Sequence, residues 1–131
     1  MTEKLHDERI RALLAEHWQA SDDGDYELEH AIYQEDAVLD YPQSGERLRG
    51  RETIKESRIR QPNEKRFKVR KITGTGNFWL TEYILSYDGA PSFVVSLMTF
   101  ENDKVVHETQ YFAEAFEPGD SRRDLVEKID D

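Results

Sequence analysis

The sequence predicts an α+β fold in which three N-terminal helices cover one face of a cone-shaped, curved antiparallel or mixed sheet and enclose a pocket. Three observations lead to this prediction. The helix signals precede the long strand signals, the stretch from 78 to 116 reads as three strands joined by tight turns, and the first of these strands is apolar on both faces. Because such a sheet must curl to cover the first helix, a pocket remains between them.

Three segments have helical patterns. Residues 5–21 carry one apolar stripe with a period near 3.6 residues, formed by Ile10, Leu13, Leu14, His17 and Trp18. Asp25 is expected to cap a second, shorter helix, because its carboxylate can accept a free backbone N–H. The expected buried side of that helix is Leu28, Ala31 and Ile32. Gly50 precedes a third helix over residues 51–60, which ends before Pro62.

The strands follow the period-two alternation of an extended chain. They are predicted at 37–41, 65–73, 78–87, 92–100 and 104–112. A half-exposed antiparallel strand alternates apolar with polar residues, but residues 78–87 are apolar on both faces. We therefore expect the helices to cover one face of the sheet and a second subunit to cover the other. The residues expected in this homodimer interface are Phe78, Leu80, Ile84, Phe93, Val95 and Tyr111.

Length and composition place the chain among single-domain proteins. We divide it into a domain at 1–118 and a strongly charged tail at 119–131, for which a short helix is one expectation. There is no cysteine, which excludes disulfides and thiolate chemistry. The net charge of -10 argues against nucleic-acid binding, and no apolar run approaches the ~20 residues of a membrane helix. We therefore expect a cytoplasmic protein with neither nucleic acid nor membrane as a partner.

Several local motifs occur in an order and spacing that resemble the SnoaL-like branch of the nuclear-transport-factor-2-like superfamily. They are His17-Trp18-Gln19-Ala20, Asp23-Gly24-Asp25, the run from Tyr33 to Pro42, Arg49-Gly50-Arg51-Glu52-Thr53-Ile54, and the run from Phe100 to Val106. The resemblance implies a curved sheet with three helices over a conical cavity, and a homodimer through the outer sheet face. Proteins of this superfamily include ketosteroid isomerase-like enzymes, polyketide cyclases, epoxide hydrolases, dehydratases and non-catalytic binders. Because one fold hosts many functions, the resemblance does not say which of these the chain is.

The active residues of these enzymes carry over only in part. The resemblance places His17 where a ketosteroid isomerase-like site has its tyrosine donor, and Tyr41 where that site has its aspartate base. Met98 falls at the position of the second, protonated acid. Ala113 falls at the position of the acidic residue late in the last strand of the SnoaL-like cyclases. The alternative acidic groups next to these positions are Asp40 and Glu114.

The last strand supplies the predicted catalytic group. The resemblance points Val106, Glu108, Gln110 and Phe112 into the cone. Removing a carboxyl group from water raises its pKa, so it can exchange a proton near neutral pH. A neighbouring imidazole permits paired acid and base roles. We therefore predict Glu108 and His17 as catalytic residues that need neither metal nor organic cofactor. The predicted ligand-binding residues are Trp18, Tyr41, Trp79, Tyr83, Leu85, Met98, Gln110 and Phe112.

Each of these residues also has a structural interpretation. Glu108 can pair with an arginine such as Arg58 on the third helix, and His17 on an apolar stripe can be a core residue with its hydrogen bonds satisfied. Three functions therefore remain open: an isomerase, cyclase or hydrolase that transfers protons on an apolar carbonyl compound, a non-catalytic binder of a small apolar ligand, and a dimerisation or scaffold module with a vestigial pocket.

Overall fold

A computed structural model describes residues 2–129, which form three helices and six strands. The helices are α1 (Thr2–Asp23), α2 (Tyr26–His30) and α3 (Arg51–Arg60). The strands are β1 (Tyr33–Tyr41), β2 (Glu46–Arg49), β3 (Lys65–Thr75), β4 (Phe78–Tyr87), β5 (Ala90–Glu101) and β6 (Lys104–Glu114). α1 and the strands β3, β5 and β6 extend a few residues beyond the predicted bounds, and two differences are larger. The first strand begins four residues earlier than residue 37, and β2 occupies part of a segment that had been assigned no strand.

The six strands form one mixed sheet in the order β2-β1-β6-β5-β4-β3. Only β1 and β6 pair in parallel, and the other neighbours are antiparallel. The helices lie on one face, where α1 packs against β3 and α3 against β1. This architecture confirms the predicted α+β fold, with an apolar core shared by helices and inner sheet face. Its fully buried members include Ile10, Leu14, Leu39, Ile54, Trp79, Tyr83, Met98 and Phe100.

A bulge in β6 decides which of its side chains face the core. Phe100 pairs with Val105, but Thr99 pairs with His107, so Val106 has no direct partner. A bulged strand loses its alternation locally. As a result Val105 is fully buried and Val106 only half-buried, which reverses the predicted orientation of this pair. After the bulge, Glu108 faces the core as predicted.

The short helix α2 buries a polar side. Asp25 caps it as predicted, accepting a 3.1 Å hydrogen bond from the backbone N–H of Leu28. Of the predicted apolar side Ile32 is buried, but the prediction was wrong for Leu28 and Ala31, which are exposed while Glu29 and His30 are buried. The physical reason is tertiary: both buried side chains lie against a guanidinium from α3, so charge pairing outweighs the weak apolar stripe of a five-residue helix.

The tail after β6 contains only a 3-10 turn at Asp120–Arg122 within the described residues, and positions 130 and 131 of the predicted tail lie outside them. Its large apolar side chains are exposed, namely Phe116, Leu125, Val126 and Ile129. No helix within residues 2–129 has the length and apolar character that crossing a membrane requires.

Candidate active site

A pocket of about 260 Å³ opens between the helices and the inner face of the sheet. Its wall comes from α1, α2, the end of α3 and the loop after it, and from strands β1, β3, β4 and β6. Six residues predicted to bind a ligand lie on this wall, namely Trp18, Tyr41, Tyr83, Leu85, Gln110 and Phe112. The wall also carries polar and charged side chains, so the pocket is less apolar than the sequence suggested. These include Ser21, Glu29, Arg58, Gln61, Asn63, Glu64 and Lys65.

Aromatic rings form two groups on the pocket wall. Trp18 packs against Tyr83 with ring centroids 4.4 Å apart, and Phe67 completes this group at 6.2 Å from Trp18. Tyr41 and Phe112 form the second group, with centroids 5.8 Å apart. The first group comes from α1, β3 and β4, and the second from β1 and β6, so the two groups stand on opposite sides of β5. Rings on two sides of a cavity suit a flat or cyclic ligand.

Glu108 is fully buried and is not part of the pocket wall. Its Oε1 accepts a short hydrogen bond from the Tyr33 hydroxyl, and its Oε2 accepts one from Ser96 Oγ at 2.5 Å. Arg58 Nη2 donates to the same Oε1 at 3.3 Å. Three donors therefore surround one carboxylate, and the structure contains the Glu108–Arg58 pair that was the structural alternative to catalysis.

Arg58 links this buried carboxylate to the pocket wall. Its Nη1 donates to the Tyr33 hydroxyl at 2.9 Å and contacts His30 Nε2 at 3.1 Å. His30 Nδ1 lies 2.7 Å from the backbone carbonyl of Tyr26, so Nδ1 carries the hydrogen and Nε2 accepts from the guanidinium. The guanidinium is thus fixed on several sides while still lining the pocket.

Glu29 is the buried carboxyl group that does line the pocket. Its side chain is only 7% exposed, and its Oε2 lies 3.9 Å from Arg58 Nη1. Burial raises the pKa of Glu29 above the ordinary 4.5, although the Arg58 guanidinium opposes that rise. A carboxyl group with a raised pKa inside a pocket can exchange protons closer to neutral pH.

His17 lies beneath the pocket wall and positions the chain near Glu29. Its Nδ1 lies 2.6 Å from the backbone carbonyl of Glu29, to which it donates. Burial lowers the pKa of His17 from 6.5 to about 3, and the Arg58 charge adds to that effect. Its Nε2 is buried and has no hydrogen-bond partner among residues 2–129. His17 is therefore neutral near pH 7, and its protonated form cannot serve as an acid there.

A family model for the SnoaL-like domain matches residues 8–108, which is most of the chain. The chain belongs to the SnoaL-like family. A search of curated proteins gives no significant match for this SnoaL-like protein. Solved structures agree with the family assignment: an NTF-2 like protein of unknown function from Burkholderia xenovorans LB400 is 50% identical, with a TM-score of 0.90 over 95% of this chain and 98% of that one.

Two more distant structures share the fold of this SnoaL-like protein. A candidate ketosteroid isomerase from Kribbella flavida DSM 17836 is 23% identical, with a TM-score of 0.83 over 95% of this chain and 92% of that chain. An LEH-like epoxide hydrolase from M. tuberculosis is 18% identical, with a TM-score of 0.65 over 77% and 80% of the two chains. At these identities the likeness shows the nuclear-transport-factor-2-like fold alone.

The remaining predicted site residues of this SnoaL-like protein lie away from the pocket. Trp79 and Met98 are buried in the core and do not line the pocket. Asp40 lies apart from the pocket, where it accepts bonds from Arg47 Nε at 2.6 Å and pairs with His107 Nε2 at 2.9 Å. Glu114 is exposed at the end of β6, so neither alternative acid reaches the pocket.

Sequence reasoning missed four residues of the buried polar cluster, namely Glu29, His30, Tyr33 and Ser96. Glu29 falls in the first turn of α2, where an acidic side chain suits the positive end of the helix dipole, so its position in the sequence does not signal burial. Tyr33 precedes the predicted start of the strand, and only the longer β1 brings its hydroxyl to Glu108. A signal was present for Ser96, because it lies in the apolar run of β5 on the face that also carries Val94 and Met98. A polar residue on that face has to find a buried partner.

Proposed function

We propose that this SnoaL-like protein is a cofactor-free enzyme that transfers a proton beside the carbonyl group of a small ring-containing compound. The observation that carries the proposal is Glu29, a buried carboxyl group with a raised pKa on the wall of a pocket that combines aromatic rings with polar side chains. As a carboxylate it accepts a proton from the carbon next to the carbonyl, and as a carboxylic acid it returns the proton to a different atom. Isomerisation, cyclisation and dehydration can all begin in this way, whereas in a hydrolysis the same carboxylate would take the proton from the attacking water.

The same pocket offers hydrogen-bond donors for the carbonyl oxygen. Gln110 Nε2 donates to the Tyr83 hydroxyl at 2.9 Å, which leaves the hydroxyl hydrogen of Tyr83 free for a ligand. Tyr41 and Arg58 line the same cavity, and each carries a further donor. Burial raises the pKa of Tyr83 well above 10, so this hydroxyl keeps its hydrogen. Fixed donors of this kind stabilise the negative charge that develops on an enolate oxygen.

Glu108 and His17, the two residues predicted to be catalytic, act in this proposal as positioning residues. Glu108 holds the guanidinium of Arg58 at the pocket wall, and His17 holds the backbone of Glu29. Their effect on the reaction therefore passes through Arg58 and Glu29. This assignment keeps both residues essential for the site but gives the proton transfer to a different carboxyl group.

The test is proton exchange with deuterated solvent, which needs no knowledge of the natural substrate. Cyclic and ring-fused ketones such as 2-tetralone are incubated with the protein in D₂O, and exchange of the protons next to the carbonyl is followed by NMR. We expect the wild type to accelerate exchange and Glu29→Gln to lose at least roughly a hundredfold of it, the usual range for a general acid–base group. Glu27→Gln is the matched control, since Glu27 lies on the same helix with its side chain 84% exposed.

A non-catalytic binder is the alternative, and the Glu108–Arg58 pair favours it. The carboxylate at the predicted catalytic position is neutralised inside the protein, as a purely structural ion pair would be. A binder would retain a ligand through purification, visible by native mass spectrometry, without accelerating exchange of any ketone tested. Equal exchange rates for wild type and Glu29→Gln would rule out the proposed role of Glu29.

We further propose a homodimer through the outer face of the sheet. Phe78, Phe93 and Tyr111 are 54%, 40% and 44% exposed on the isolated chain, which is unusual for large apolar side chains on one sheet face. Sedimentation equilibrium at micromolar concentration checks this proposal, and a single monomeric species would contradict it. The cytoplasmic location and the scaffold alternative stay predictions.

A further inference from the structure

Two cations, Arg58 and Lys65, and two carboxyl groups, Glu29 and Glu64, lie on the pocket wall. Arg58 pairs with the buried Glu108 at 3.3 Å. Lys65 is half-buried on the same wall, and it has no ion pair with a carboxylate within residues 2–129. Its Nζ instead donates to the backbone carbonyl of Arg58 at 2.7 Å and lies 5.5 Å from the ring centroid of Tyr26. An ammonium group has three hydrogens, so donors remain available for a ligand.

Two carboxyl groups share the wall with Lys65, and within residues 2–129 neither lies within ion-pair distance of its ammonium group. The charge of Glu29 attracts Lys65 from beyond that distance and partly offsets the effect of burial on the pKa of Lys65, and Glu64 is exposed at the rim, where its backbone N–H binds Asp88. Burial lowers the pKa of Lys65, because an ammonium charge held partly out of water is less stable than one in solvent. An anion bound in the pocket would stabilise that charge.

The position of Lys65 fits the dimensions of the aromatic groups. Lys65 and Phe67 point to the same face of β3, because they are two residues apart, which is about 7 Å along a strand. Lys65 pairs with Tyr87 and Phe67 pairs with Leu85, and all four line the pocket. A ring packed against Phe67 therefore places a substituent of the ring beside the ammonium group of Lys65.

We propose that the natural ligand is a ring-containing carboxylic acid whose carboxylate pairs with Lys65 while its ring lies between the aromatic groups. The inference rests on the proposed function, because it names the class of compound that the same pocket takes. The ring contacts Trp18, Phe67 and Tyr83, and the end opposite the carboxylate reaches the Tyr83 hydroxyl. Binding the acid replaces an unpaired half-buried charge by an ion pair.

The test compares matched acids and amides as probes. Benzoate, 2-naphthoate and biphenyl-4-carboxylate, each with its neutral carboxamide, are titrated into the protein and binding is measured by calorimetry. We expect at least one acid to bind the wild type roughly tenfold to a hundredfold more tightly than its amide, the usual effect of a charge-assisted hydrogen bond. Lys65→Met should abolish that preference without weakening the amide, and Lys65→Arg should retain most of it. Lys68→Met, the same change on the opposite face of β3, should leave both affinities unchanged.

The possible outcomes separate the two proposals. If acids and amides bind equally well and Lys65→Met changes neither, the pocket binds ring compounds but the acid preference is refuted. If no probe binds at millimolar concentration, both the acid preference and the pocket proposal fail. A thermal melt of Lys65→Met with the wild-type midpoint shows that the variant is folded, and preserved amide binding shows that its pocket is intact.

Discussion

The two buried histidines should make the protein unstable in mild acid. His17 and His30 are 1% and 2% exposed. Burial first, and the Arg58 charge second, lower the pKa of each from 6.5 to about 3. The unfolded chain therefore takes up protons below pH 6.5 that the folded chain does not take up until about pH 3. Stability that is fully present above pH 6.5 is lost as the pH falls through this interval.

The size of the effect follows from the pKa change. Each histidine removes about 1.4 kcal/mol of unfolding free energy per pH unit within the interval. Between pH 6.5 and 4.5 the pair removes roughly 5 kcal/mol, which is comparable to the whole stability of many domains. Glu29 acts in the opposite direction over part of this range, because its raised pKa makes the folded state take up its proton first. The aspartates with lowered pKa values, such as Asp40 at about 2, contribute mainly below pH 4.

Urea unfolding followed by tryptophan fluorescence measures the unfolding free energy at each pH. We expect a steep loss in the wild type, about half that slope in His17→Gln and in His30→Gln, and little slope in the double variant. Glu29→Gln should steepen the loss, because it removes the opposing titration. A wild-type free energy that stays constant from pH 6.5 to 4.5, or a double variant with the wild-type slope, would refute the reasoning.

Three further tests of the structure use urea unfolding. Arg58→Met and Glu108→Leu should each lower the unfolding free energy by about 3–5 kcal/mol, because each leaves a buried charge unpaired. The double variant should lose clearly less than the sum of the two losses, and additive losses would show that the two residues are not coupled. Gly74→Ala should lower the unfolding free energy by about 1–3 kcal/mol, because a Cβ there would lie 2.5 Å from a backbone oxygen of β4. At Gly76 a Cβ would have no atom within 4 Å, so Gly76→Ala should lose only the roughly 1–2 kcal/mol that a positive φ costs a residue with a side chain. Asp25→Ala should cost about 0.5–2 kcal/mol through loss of the α2 cap, and an unchanged midpoint would contradict that role.

The fold could be predicted because its signals are local and periodic. Alternation places Trp79, Tyr83 and Leu85 on one face of β4, and all three are buried, although both faces of this strand are apolar and alternation alone does not say which one is the inner face. The bulge at Val106 could not be predicted, since nothing in the sequence of β6 specifies where one residue drops out of register. The buried polar side of α2 depends on Arg58, which lies 28 residues after His30, and such a pairing has no sequence period. The sequence therefore indicated the pocket but not its carboxyl group.

The charges around Arg58 explain why the proposal gives proton transfer to Glu29 and a positioning role to Glu108. Two buried carboxyl groups, Glu29 and Glu108, approach one guanidinium, and a single positive charge cannot compensate both equally. Glu108 has the shorter contact with Arg58, 3.3 Å against 3.9 Å, and it also accepts bonds from Tyr33 and Ser96. Glu29 therefore interacts less strongly with the guanidinium than Glu108 does, and Glu29 is the one that lines the pocket. Two carboxyl groups in one site can have different roles when their environments differ. Glu29 has fewer hydrogen-bond donors around it than Glu108, so in this proposal Glu29 is the group that releases and takes up a proton.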